Sequence, residues 1–250
     1  MELHTAVAVA SIGMGVGFLG GLFGKGGSAI ATPLLAAFGV PAFAAIASPL
    51  PATIPSTAIA AARYRRYGLI DDGVLRWSIG VGIPATIAGS LASRFVGGGA
   101  LVIATDLILL ALGARLLAGS TRADEVVPDE PPARSRVVLV AATTGAVAGL
   151  LANSGGFLLA PLFMAVLRMP LKRAFGTSLA AATIFAIPGT ITHAALGHID
   201  WAIAAVFTVA AVPFSSAGAK VALRTRAEHL ERYYGGFLVA LSAILLVRSA

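Results

Sequence analysis

The chain reads as long apolar runs separated by short polar connections. Runs fall at Thr5–Phe23, Ser28–Gly39, Ala42–Ala62, Val74–Phe95 and Gly99–Ala118, then again at Val137–Ala152, Gly156–Leu167, Leu171–Leu196, Trp201–Leu223 and Tyr233–Val247. Most approach the roughly 20 residues that a helix needs to cross a hydrocarbon core. Ser28–Gly39 and Gly156–Leu167 do not: each spans only about 18 Å at 1.5 Å per residue. Both follow a glycine-rich stretch and both end near a proline, Pro41 or Pro170. Short, glycine-interrupted segments at matching places in two halves predict broken or re-entrant helices. Between the halves, "GSTRADEVVPDEPPARSR" (Gly119–Arg136) is polar, proline-bearing and charged with both signs, which predicts a solvated linker. The expected fold is an all-α polytopic membrane protein, a single integral-membrane domain. It holds two repeats of about five segments, over residues 1–118 and 137–250, each opened by a broken or re-entrant hairpin.

Composition agrees. The 250 residues are 58% hydrophobic and only 12% charged, against about 25% charged in an average soluble domain. The net charge of +7 sits in connections between apolar runs, which the positive-inside rule produces, so no nucleic-acid partner is expected. Anionic lipid contact is a secondary gain. With no cysteine, disulfides and thiol chemistry are excluded. The N-terminus lacks a basic region and a cleavage site, and reads as a first membrane segment rather than a removed leader.

The sequence also repeats itself 129 positions apart. Gly20 matches Gly149, Gly26-Gly27 matches Gly155-Gly156, Pro41 matches Pro170, Asp71 matches Asp200, Pro84 matches Pro213, and Ala88-Gly89 matches Ala217-Gly218. Basic residues occupy opposite places in the two copies. In the first, Arg63, Arg65, Arg66 and Arg76 crowd the loop after the third segment, whose counterpart, "LGHID", has no Lys or Arg. In the second they cluster at Arg168, Lys172 and Arg173 and again at Lys220, Arg224, Arg226 and Arg232. That reversal predicts inverted topology, with the linker cytoplasmic and both termini outside the inner (plasma) membrane. Inverted repeats with broken helices build many secondary transporters, with the substrate near the repeat interface.

The two glycine tips carry the candidate chemistry. A helix N-terminus bears unpaired amides and roughly half a positive charge, and glycine lets an anion approach the backbone closely. The first tip offers Lys25, Gly26, Gly27 and Ser28, and the second offers Asn153, Ser154, Gly155 and Gly156. Facing each other across a pseudo-symmetry axis, they would form a donor-lined pocket for a small oxyanion. Close helix packing is the competing reason for the glycines, and a surface lysine the competing reason for Lys25. Ser48, Thr177 and Ser178 belong to the third segments, whose prolines free backbone groups. They are further candidates for substrate contact, against the ordinary alternative of bonding their own i−4 carbonyls.

Asp106, inside "VIATDLILLALGAR", is a proton-coupling candidate because an acid there is expensive. A structural carboxylate paired with an arginine is the alternative. His193 and His198 fall at a segment boundary and read as solvated loop histidines, with pH sensing as the alternative. Asp71 and Asp200 read as helix N-caps, and Trp77 and Trp201 as interfacial anchors. No phosphate loop, nucleophile–base pair or metal-ligand cluster is present in the sequence, so neither an enzyme nor a cofactor is expected.

The tip "GLFGKGGSAIATP", its echo "GLLANSGGFLLAP", "RAFGTSLAAAT" and "ALGHIDW" occur in order over nearly the whole chain. In these the sequence resembles the TauE/SafE family of membrane permeases, also called the sulfite exporter family. The resemblance implies transport of small sulfur-containing or organic anions such as sulfite or sulfonates. Two departures touch the substrate: "IASPLP" stands where the second half keeps "FGTSLA", and Lys25 stands where small or polar residues are more usual. The reading is therefore a secondary permease for a small anion in a lipid bilayer, with a passive channel or a carboxylate permease as alternatives.

Overall fold

A computed structural model describes residues 3–23, 28–117 and 132–226, with His229, Gly236, Val239 and Ala240 beyond them. The described residues form helices α1 (Leu3–Leu22), α2 (Ser28–Ala37), α3 (Ala42–Ala47), α4 (Leu50–Arg66), α5 (Asp72–Ala92), α6 (Gly98–Leu117), α7 (Arg134–Leu150), α8 (Gly156–Leu167), α9 (Leu171–Ala195) and α10 (Trp201–Arg224). Among the described residues, five stretches are long and apolar enough to cross a membrane: Leu3–Leu22, Ala42–Arg66, Asp72–Phe95, Leu171–Ala195 and Trp201–Arg224. The chain is an all-α multi-pass membrane protein. Residues 118–131 of the linker and nearly all of the last apolar run lie outside the described residues.

Local chemistry explains the boundaries. Asp71 Oδ1 accepts from the amides of Gly73 and Val74 at 3.0 Å, and Asp200 Oδ1 accepts from those of Ala202 and Ile203 at 2.9 and 3.1 Å. These matched carboxylates satisfy first-turn donors of α5 and α10. The third run of the first half is not one helix. It breaks at Ser48-Pro49 between α3 and α4, because Pro49 and Pro51 lack the amides that a continuous helix would bond. The matching stretch of the second half carries Ser178 and Ala180 there and stays whole as α9. Arg63, Arg65 and Arg66 lie in the last turn of α4 rather than in a loop, where cations face the negative end of the helix.

Packing interlocks the two halves. In hydrocarbon, helices associate through close van der Waals fit rather than burial from water. Gly17 and Gly21 of α1 lie against the backbone of Ala211 and Ser215 of α10, and Gly218 of α10 lies against Phe18. The repeat-related pair does the same: Gly145 and Gly149 of α7 lie against Gly82 and Thr86 of α5, and Gly89 lies against Ala146. Each opening helix therefore packs on the other repeat.

The third segments make the centre. The Asp200 amide donates to Ser48 Oγ at 3.0 Å, the Thr57 and Thr183 hydroxyls meet at 2.8 Å, and the Asp71 amide donates to Thr177 Oγ1 at 2.9 Å. Numbers rise on one side as they fall on the other, so α4 and α9 run antiparallel. The outer two bonds are repeat copies of one another, each joining a third segment to the cap of the other half. Replacing Ser48 by Ala or Thr177 by Val removes an acceptor from a part-buried amide. Each change is expected to lower stability by about 1 kcal/mol. The double variant should lose about the sum, because the sites lie at opposite ends of α9. Unchanged thermal midpoints in detergent would contradict this.

Candidate functional site

The second glycine tip is built by three local choices. α7 ends at Leu150, and Ala152 then takes the left-handed conformation with φ of 45°. The Asn153 amide returns to Ala148 O at 2.7 Å, and Asn153 Oδ1 accepts from the Gly155 amide at 3.2 Å. Gly155, at φ 72°, precedes α8 with no side-chain cap. A side chain there would be strained, and its Cβ would meet Thr144 Cγ2 at 3.0 Å and Ala148 Cβ at 3.1 Å. The tip thus folds back on α7, beside Phe185 near the middle of α9.

Gly156 and Phe157 lead α8 and are buried. Their amides have no carbonyl four residues back to bond. Beside this start lie two buried hydroxyls with no protein partner, Ser154 at the tip and Thr144 on α7, whose Cγ2 faces Gly155; Thr86 and Ser90 on α5, which lies against Gly149, and Thr190 on α9 carry further ones. Such a group costs about 1–3 kcal/mol when left without a partner. Threonines elsewhere in the bundle avoid that by bonding the carbonyl four residues back, as Thr57, Thr105, Thr183, Thr192 and Thr208 do. Among the described residues the second tip therefore holds buried hydroxyls that bond no protein atom, Ser154 and Thr144.

The sequence candidates divide. Asn153, Ser154, Gly155 and Gly156 come together at this tip, all buried. Ser48 and Thr177 are buried in the inter-repeat bonds described above. Ser178, also buried, donates to Phe175 O at 3.0 Å. Lys25, Gly26 and Gly27 lie outside the described residues, as do the side chains of Ser28 and Asp106. Gly149 serves close packing, as its contact with Thr86 shows.

Histidine 193 departs from the sequence reading. It is 0% exposed rather than solvated, because α9 continues to Ala195 and α7 packs over it. Its Nε2 lies 2.8 Å from Gly149 O and its Nδ1 lies 3.0 Å from His198 Nδ1. The repeat places Tyr64 at the matching position of the first half, and its hydroxyl is buried without a partner. Arg63 next to it donates from Nε and Nη2 to Ser216 Oγ at 3.0 and 2.7 Å. Nothing in the periodicity marks Thr86, Thr144 or Thr190, since a free helical threonine and a self-bonded one look alike in sequence.

Membrane-length helices interlocked around a buried polar hairpin tip define a multi-pass helical membrane protein. The chain belongs to the TauE/SafE family: the family model described as "Sulfite exporter TauE/SafE" matches residues 9–245. It is 30% identical to a probable membrane transporter protein of Xylella fastidiosa strain 9a5c, over 100% of this chain and 98% of that one. A protein of the same description in strain Temecula1 is 29% identical over the same shares. One from Methanocaldococcus jannaschii is 24% identical over 94% of this chain and 93% of its own. No solved structure matches the chain.

Proposed function

We propose that the protein is a secondary permease for a small oxyanion, sulfite or an organosulfonate. The anion is held at the two glycine-rich tips and released by alternating access. The observation that carries this reading is the uncapped, buried start of α8 with the partnerless hydroxyls of Ser154 and Thr144 beside it. A helix N-terminus and two free O–H donors suit a small anion stripped of water. The family description supports sulfur oxyanions as the class. Lys25, Gly26, Gly27 and Ser28 complete the pocket from the first tip, with Ser48, Thr177 and Ser178 bounding it.

The antiparallel run of α4 and α9 supports inverted repeats. Arg134, at the start of α7, lies 5.4 Å over the Trp77 ring near the start of α5, and α8 ends where α9 begins. Both ends of the second hairpin then lie at one end of the bundle, as a re-entrant pair would. On this reading the linker is cytoplasmic, and both termini face outward from the inner membrane.

The test is uptake by the purified protein in liposomes, with sulfite, sulfate, sulfoacetate, taurine and acetate compared with and without a pH gradient. Saturable uptake of sulfite or a sulfonate is expected, accelerated when the same anion is loaded inside. Uptake of acetate that no sulfur oxyanion competes with would overturn the substrate class. Uptake without acceleration by internal anion would overturn alternating access in favour of a pore.

A further inference from the structure

Ser78, Gly82, Thr86 and Ser90 follow one another at four-residue spacing along one face of α5. At 1.5 Å per residue they extend over roughly 18 Å, from near the start of the helix to near its end. The hydroxyls of Ser78, Thr86 and Ser90 are buried and bond no protein atom. Thr57 and Thr183 show the alternative, since each bonds the carbonyl four residues back. Gly82 interrupts this column, and the Phe185 ring of α9 fills the place of its missing side chain. A Cβ on Gly82 would overlap Cζ and Cε1 of the ring and stand 2.8 Å from Cε2. The near end of the ring touches the second tip, with Cδ2 3.5 Å from where a Cβ on Gly155 would lie. A fully buried ring therefore stands between Ser78 on one side and Thr86 and Ser90 on the other.

The first half carries neither part. At the offset of 129 the column becomes Phe207, Ala211, Ser215 and Ala219 of α10, and Phe185 becomes Ser56. The hydroxyl in that row is used: Ser215 Oγ donates to Ser56 O at 2.8 Å. Ser56 Oγ in turn donates to Ala52 O at 2.6 Å. Close glycine contacts hold both the α1–α10 and the α5–α7 seams, so seam packing requires neither the ring nor the free hydroxyls. The two occur together, beside the second tip.

We propose that Phe185 is the gate of the second tip: seated on Gly82, its ring closes a polar path along α5, and leaving that seat joins Ser78 to Thr86 and Ser90. A ring edge offers a dehydrated anion no hydrogen bond, so its place in the column is a barrier. The hydroxyls on either side can donate to such an anion. Because the seat is a glycine, the ring can leave it without displacing a side chain of α5. The gate's part in transport rests on the permease reading, whereas the barrier rests on the packing alone.

The chain has no native cysteine, so Ser78→Cys and Ser90→Cys in the full-length protein each report access singly. A membrane-impermeant thiol reagent is applied to right-side-out and to inside-out vesicles. With Phe185 intact, Ser78→Cys should be labelled only from the face where α5 starts, and Ser90→Cys only from the opposite face. Labelling of both from one face, or of neither from any, would overturn the proposal. That arm needs no change at Phe185, so it decides even if a Phe185 variant fails to fold. Phe185→Leu keeps the carbons out to the δ positions and removes the Cε and Cζ atoms that occupy Gly82. In that background each cysteine should gain labelling from its closed face, and no gain would overturn the gate. Gly82→Ala should lower the thermal midpoint by about 4 °C beside Phe185 and by much less in the Phe185→Leu background. Equal losses would mean that the ring is not seated on Gly82. In liposomes the ratio of benzenesulfonate to sulfite uptake should rise about tenfold in Phe185→Leu, and an unchanged ratio would also overturn the gate. Absence of all anion uptake beside a Phe185-dependent labelling pattern would remove the permease reading and leave the barrier standing.

Discussion

Gly218→Leu is expected to yield no folded, monodisperse protein in detergent, whereas Gly80→Leu should purify like the wild type. Both glycines sit within apolar helices, so hydropathy does not separate them. The packing does. A Cβ on Gly218 would overlap Phe18 O and stand 2.8 Å from the Leu22 amide nitrogen. Those are backbone atoms of α1, which move only if the helix moves. Gly80 has nothing within 4 Å of the same position. Overpacking a tight contact costs about 1–3 kcal/mol and sometimes more, and here the whole of α1 must shift away from α10. Gly89→Leu, the repeat counterpart against Ala146 O, should fail in the same way at the α5–α7 seam. Size-exclusion profiles and thermal midpoints read the outcome. A wild-type profile for Gly218→Leu would mean that the helices do not meet this closely.

Lys25→Ala is expected to weaken anion binding more than Ser154→Ala does. The two positions are repeat counterparts, each next to the paired glycines of its tip. A charged hydrogen bond is worth about 1.5–3 kcal/mol and a neutral one about 1. At 1.4 kcal/mol per tenfold, that is roughly ten- to hundredfold for Lys25 and about fivefold for Ser154. Because the Ser154 hydroxyl has no protein partner, its loss should leave the thermal midpoint of the anion-free protein unchanged or raised. Ser48→Ala should instead lower that midpoint. Equilibrium binding of sulfite to purified variants gives the ranking, and equal affinity for wild type and Lys25→Ala would remove Lys25 from the site.

Much of the fold was legible in the chain, and the reasons are local. Apolar runs, matched prolines and the Asp71 and Asp200 caps depend on neighbours in sequence, so they could be read in order. The short α8 after "ANSGG" followed from length alone. What escaped depends on partners far along the chain. The break at Ser48-Pro49 needed knowledge of which of three prolines starts the new helix. Ser48 and Thr177 were recognised as polar positions of note, but their bonds to Asp200 and Asp71 reach across the repeats, where no periodicity points. His193 read as solvated because the apolar run ends at Leu196, while its burial comes from α7. Thr86 and Thr144 were invisible for a similar reason: a threonine that forgoes its own i−4 carbonyl is marked only by what surrounds it.

The most direct test of the anion site is the position of a heavy oxyanion. Selenite, the heavier analogue of sulfite, can be located by anomalous scattering in crystals of the full-length protein. The account predicts a peak within hydrogen-bonding reach of Ser154 Oγ and the leading amides of α8, weakened in Lys25→Ala. Selenite bound only at surface arginines such as Arg66 and Arg76, with the tip empty at saturating concentration, would contradict it.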